Sequence, residues 1–189
     1  LILETSAITW PAGASMPNTI GFSSDQFLPG LTELAARVHQ HDCKITAQLN
    51  HSGKIAQEDT IAGRPLLVPS MPDKASSDLM PLLTQAEIST FIKAAGPDGR
   101  GPRYQVMSEA DIQQLVSQFA EAAVRAKTAG FDAVEIHGGH GYVISSFLSP
   151  ASNRRTDSYG GTLDNRARLL VEVIKAIRGA TGKSFTILV

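Results

Sequence analysis

AGFDAVEIHGGHGYVISSFLSP, residues 129–150, holds the pattern on which the fold turns. Gly130 is placed to end a helix, FDAVEIH (131–137) reads as a strand, and GYVISSFL (141–148) reads as one or two helical turns. Between the strand and those turns stand His137, His140 and Tyr142, set among glycines. An apolar strand that runs into reactive polar side chains and then into a helix places its chemistry on the loop after the strand.

The same order extends outward in both directions. Upstream, Ser108 and Asp111 stand three apart just before an apolar periodicity, close to a capping box. Ile112, Leu115, Val116, Phe119, Ala122, Ala123 and Ala126 then make one helical face. Further back, KITAQLN (44–50) is a strand ending in Gln48 and Asn50, and 28–42 carries Leu31, Leu34, Ala35 and Val38 at helical spacing. LILETS (1–6) is a short apolar run that turns polar at Thr5 and Ser6. Downstream, Thr162 caps a helix with Leu169, Leu170, Val173, Ile174 and Ile177 on its inner face, closed by Gly179 and Gly182, before the strand SFTILV (184–189). The stretch 51–107 is rich in proline and glycine and reads as a long loop with one short helix around 84–95, a length typical of functional or disordered segments.

Strands alternating with helices imply parallel βαβ units, in an open doubly wound sheet or a β/α barrel. A doubly wound nucleotide fold wants a G-x-G-x-x-G turn after its first strand, and none follows LILETS. Polar residues at the strand ends favour the barrel. The expected fold class is therefore α/β, a (β/α)8 TIM barrel, of which the four strands here are roughly half. Both ends read as strand, so residues 1–189 are expected to be one partial barrel domain of a longer chain.

Composition narrows the function. The 189 residues are 42% hydrophobic and 19% charged, with a formal net charge of -1, as in a soluble globular domain and unlike a nucleic-acid platform. No apolar run reaches the roughly 18 residues of a membrane span. Cys43 is the single cysteine, which excludes a disulfide, a thiolate zinc site and an iron–sulfur cluster within these 189 residues, and fits a reducing, cytoplasmic setting.

Two imidazoles three residues apart can both donate to one oxygen, stabilising negative charge that develops on a carbonyl. A tyrosine two residues on supplies a proton. His137, His140 and Tyr142 thus read as a polariser and proton donor for an unsaturated carbonyl. Other readings stand beside this one. His-x-x-His is half of a metal site but lacks a third ligand. HGG matches part of a lipase oxyanion loop, but no G-x-S-x-G turn accompanies it. The histidines can also simply satisfy loop carbonyls. Gln48 carries donors and an acceptor suited to the edge of a flat heterocycle, or else fills a polar barrel layer. Asn50, His51, Ser52 and Gly53 form another polar loop, and Arg155, Asp157 and Arg166 can pair to fix the loop after the cluster.

AQLNHSGK (47–54), AGFDAVEIHGGHGYVISSFLSP (129–150) and NRRTDSYGGTLDNRAR (153–168) together closely resemble the old yellow enzyme family of NAD(P)H:flavin oxidoreductases. The resemblance covers nearly the whole chain and is weakest over 71–107. It implies a barrel holding FMN at the top of its strands, with NADH or NADPH as reductant and a small α,β-unsaturated carbonyl compound as substrate. It also implies residue roles: Gln48 on the flavin's pyrimidine edge, Thr5 near the flavin, His137 and His140 on the substrate carbonyl, and Tyr142 as proton donor. Histidine at both positions of the pair is similar to the xenobiotic-reductase and 2,4-dienoyl-CoA-reductase-like branches. A homo-oligomer is compatible with it. The flavin-contacting arginine and the phosphate loops of the family fall outside these residues, so the piece alone is expected to hold FMN poorly. The rivals are a flavin-free barrel lyase or aldolase, which would need a Schiff-base lysine where only Lys44 and Lys54 stand near strand ends, and a non-catalytic half-barrel.

Overall fold

The computed structural model describes residues 1–9, 11–73, 84–86, 88 and 101–189. Its strands and longer helices follow in chain order: β1 (Ile2–Ala7), α1 (Leu28–His39), β2 (Thr46–Asn50), α2 (Gln57–Ile61), β3 (Leu66–Val68), β4 (Tyr104–Val106), α3 (Glu109–Thr128), β5 (Ala133–Ile136), α4 (Val143–Leu148), α5 (Leu163–Thr181) and β6 (Thr186–Leu188). One parallel sheet runs β1-β2-β5-β6, and a second, two-stranded parallel sheet joins β3 to β4.

Alternation along the strands sorts the two faces of the main sheet. Ala47, Leu49, Val134 and Ile136 are fully buried and pack with the helices. Gln48 and Glu135, at the alternate positions, are only half-buried and lie directly opposite each other in the register of β2 and β5. The front face thus carries a polar pair at its centre, and from Glu135 it leads up to His137 at the C-terminal strand ends.

The helical wall follows the sequence closely. Ser108 Oγ accepts from the Asp111 backbone N–H at 3.2 Å while Asp111 Oδ2 accepts from the Ser108 N–H at 2.8 Å, a closed capping box at the start of α3. All seven residues assigned to its inner face are buried, and Gly130, at φ 89°, ends it in the left-handed region where a side chain would be strained. Thr162 caps α5 through the Asn165 N–H, and Leu169, Val173 and Ile177 are buried, with Leu170 and Ile174 packed beside them. Gly179 lies inside this helix rather than closing it; the stop is Gly182.

The stretch 51–107 departs most from expectation. It contains α2 and the β3–β4 pair, which were too short to show a period. Of the short helix expected over 84–95, residues 84–86 and 88 are described and the remainder lies outside the described residues. Arg155 pairs with Asp157 as expected, but Arg166 donates instead to the carbonyls of Leu148 and Gly161, because those helix- and turn-end acceptors lie within its reach.

Candidate active site

Four hydrogen bonds stitch the loops at the C-terminal strand ends together. The Ile8 N–H donates to Asn50 O at 3.1 Å, Ser52 N–H to Gly13 O at 2.8 Å, His137 N–H to Leu49 O at 3.0 Å and Val143 N–H to His51 O at 3.1 Å. The loops after β1, β2 and β5 therefore form one connected surface, on which His137, His140 and Tyr142 stand.

His137, His140 and Tyr142 do come together. The ring centroids of His137 lie 5.0 Å from His140 and 4.9 Å from Tyr142, each edge-to-face. The sharp reversal that permits this is made at His140 and Gly141, at φ 56° and 72°. Ser146 Oγ donates to Gly141 O at 2.8 Å and Ser145 Oγ accepts from the Gly141 N–H at 3.3 Å, so α4 holds the turn from below. Tyr142 occupies the position just before α4.

The two imidazoles bond to each other, His140 Nδ1 to His137 Nε2 at 3.1 Å, rather than both facing an empty point. His137 Nδ1 accepts from the Gly139 N–H at 3.4 Å. With Nδ1 accepting, the network assigns the His137 proton to Nε2, which donates to His140 Nδ1 and leaves Nε2–H of the exposed His140 as the outward donor. An incoming carbonyl oxygen can take the acceptor place that His140 Nδ1 now fills. Burial, and after it the neighbouring His140, hold the His137 pKa below its usual value, while Glu135 and Glu4 act against them. His137 is thus a neutral donor at neutral pH.

Gln48 donates through Nε2 to Glu135 Oε1 at 2.5 Å, on the half-buried face below His137. Thr5 lies in β1 between Glu4 and Ser6, and its side chain lies outside the described residues. Lys44 is held at the opposite end of the strands, where Asp132 takes its ammonium at 2.8 Å and the Ile45 N–H at 2.9 Å. Lys54 sits in the turn Gly53–Ile55 beyond β2. Neither lysine takes the strand-end place of a Schiff-base residue.

Two participants escaped the sequence reading. Glu135 is the partner of Gln48; a charge in the middle of an apolar strand, two residues before His137 and so on the same face, was the available signal. His51 is 3% exposed and accepts the Gly53 N–H at 3.1 Å through Nδ1. Beside it, Asp59 accepts from the Gly13 N–H at 2.8 Å and from Arg64 Nε at 2.6 Å. Only the fold shows that this polar loop is buried.

The model of the NADH:flavin oxidoreductase / NADH oxidase family matches residues 1–189. The chain belongs to that family. It is 39% identical over 178 residues to an NADPH dehydrogenase of Halalkalibacterium halodurans, covering 94% of this chain and 44% of that protein. It is 33% identical over 187 residues to an NADH oxidase of Thermoanaerobacter brockii, covering 99% of this chain and 25% of that one. Among solved structures, an Old Yellow Enzyme from Pichia sp. AKU4542 superposes with a TM-score of 0.79 at 31% identity, over 99% of this chain and 45% of that enzyme. The chain thus spans less than half the length of these relatives. Its four-stranded sheet with helices behind is a sector of the α/β barrel, as expected from the alternating order.

Proposed function

We propose that this chain carries the cofactor and substrate side chains of an FMN-dependent oxidoreductase that passes hydride from NADH or NADPH to the C=C bond of an α,β-unsaturated carbonyl compound. The observation that supports this best is the convergence of His137, His140 and Tyr142 on the surface where the front face of the sheet ends. The donor set fits a flavin: Gln48 offers an amide on that face, complementary to the alternating carbonyls and N–H of a pyrimidine edge. Gln48 and the β1 segment at Thr5 would hold FMN, which when bound supplies the relay of hydride from nicotinamide to substrate.

The remaining work belongs to the protein. His137 and His140 bind the carbonyl oxygen and withdraw electron density from the conjugated bond, in the manner of an oxyanion hole. Neutral His137 donates without charging, so the site stays ready at neutral pH. The hydroxyl of Tyr142, whose ring meets that of His137 edge-to-face, delivers a proton to the α-carbon. The same proposal takes a small-molecule enone as partner, a cytoplasmic setting, and further barrel strands of a longer chain over the front face.

Tyr142→Phe in the full-length protein tests the assignment by stopped flow. It keeps the ring and removes only the hydroxyl. Flavin reduction by NAD(P)H should be nearly unchanged, and reoxidation by an enone should slow by roughly 10²–10⁴-fold, the range of general-acid catalysis. Reoxidation by a quinone should be spared, since no proton is placed on carbon. Equal slowing of both half-reactions would make Tyr142 a packing residue. A purified protein without flavin absorbance would favour the flavin-free barrel.

A further inference from the structure

We propose that Glu135 is a positioning residue that locks the orientation of the Gln48 amide, so that Gln48 meets a bound flavin with its donor and acceptor in one fixed order. The proposal rests on the flavin reading given above.

Three observations lead to it. Gln48 and Glu135 are cross-strand partners in the register of β2 and β5. Both are half-buried in the middle of their strands, on the face that leads to His137. Gln48 Nε2 donates to Glu135 Oε1 at 2.5 Å, an amide N–H on a carboxylate oxygen. A carboxylate in a half-buried sheet layer is costly without a partner, so this bond is what makes its presence tolerable there.

The chemistry of the two groups gives the bond a direction. An ionised carboxylate only accepts, whereas a primary amide has an oxygen that accepts and a nitrogen that donates twice. The NH2 end of Gln48 must therefore face Glu135. One N–H is used in that bond. A half-turn of the amide would keep nearly the same shape but exchange donor and acceptor, and would set its oxygen against the carboxylate. A pyrimidine edge alternates carbonyl oxygens with an N–H, so it binds one orientation and opposes the other. A glutamine at position 135 would not impose the choice, because its own amide can turn to match either state of Gln48. Glu135 acts on the ligand through Gln48, while its strand neighbour two residues on, His137, reaches the substrate. One strand thus sets both sides of the reaction.

The test is a double-mutant cycle in the full-length protein: Gln48→Ala, Glu135→Gln and the pair, each stripped of flavin and titrated with FMN by fluorescence quenching. Glu135→Gln keeps size and hydrogen-bonding capacity, and circular dichroism checks that each variant is folded. Gln48→Ala is expected to weaken FMN about tenfold, Glu135→Gln by several-fold, and the pair no more than Gln48→Ala alone, since coupled residues do not add. The visible absorption bands of bound FMN should shift in both single variants, which a purely structural role would not produce. Glu135→Asp, which keeps the charge but draws it back by one methylene, should weaken FMN as well. Losses that multiply in the pair, or parental affinity and spectrum in Glu135→Gln while Gln48→Ala is impaired, would overturn the role of Glu135 and leave the flavin reading standing. Parental FMN affinity in Gln48→Ala would overturn both.

Discussion

His51 follows the last residue of β2, and His137 follows the last residue of β5, the strand beside it. Both are largely buried, and each accepts a backbone N–H from the residue two further on through Nδ1. Their surroundings differ. The space around His51 is closed: a Cβ on Gly13 would come within 2.5 Å of its Nε2, and the Gly13 N–H and carbonyl are tied to Asp59 and Ser52. Burial pushes the His51 pKa down to about 4, against the attraction of Asp59. The second nitrogen of His137 instead meets His140, an exposed side chain that can yield its place to a ligand. The same residue type at the same point of a βα unit serves as a pin where the loop closes over it and as a donor where the loop leaves a way in.

The largest expected effect separates the pair by chemistry. His137→Ala with His140→Ala should cut enone reduction by about 10²–10³-fold, as for loss of an oxyanion donor. The fold should persist at a lower unfolding free energy, because His137 is buried and only His140 is exposed. A steady-state assay with cyclohexenone and a urea melt on the same samples check this, and parental enone reduction would remove the contrast.

Next comes a pH effect confined to the pin. The folded-state pKa of His51, about 4, lies below its ordinary value of 6.5. Between these values the unfolded chain takes up a proton that the folded chain refuses. Stability is therefore fully present above about pH 6.5 and is lost as pH falls toward 4, at up to about 1.4 kcal/mol per unit, or about 3 kcal/mol in all. His51→Gln should flatten that slope relative to the parent, measured by urea melts at pH 4.5 and 7.5. The depressed pKa of His137 adds a slope of the same sign to both proteins and cancels in the comparison. An unchanged slope would mean that His51 takes its proton within the fold.

The smallest effect tests the closed box itself. Gly13 has φ 73°, and an added methyl would press on His51. Gly13→Ala should cost about 1–3 kcal/mol through overpacking and left-handed strain, seen as a lower Tm. The rate of flavin reduction in the folded enzyme should stay near the parental value. A Tm at or above the parent would show that the loops over His51 yield.

Much of the fold was legible because its signals are local. The capping box at Ser108 and Asp111, the inner face of α3 and the stop at Gly130 each depend on residues within a turn or two of one another. The alternation of strand and helix then restricts the architecture to parallel βα units, and the cluster at His137, His140 and Tyr142 is contiguous in the chain. The β3–β4 pair was hidden because three-residue strands carry no period, and their hydrogen bonds join segments about forty residues apart. The bond from Gln48 to Glu135 spans 87 residues and exists only through the register of two parallel strands. The difference between His51 and His137 is likewise set by what other loops bring to each ring. Sequence by itself determined the elements, their order and the reactive side chains at one strand end. Tertiary structure alone decided which polar groups face one another and which are sealed from water, because burial and hydrogen-bond direction belong to neighbours that are distant along the chain.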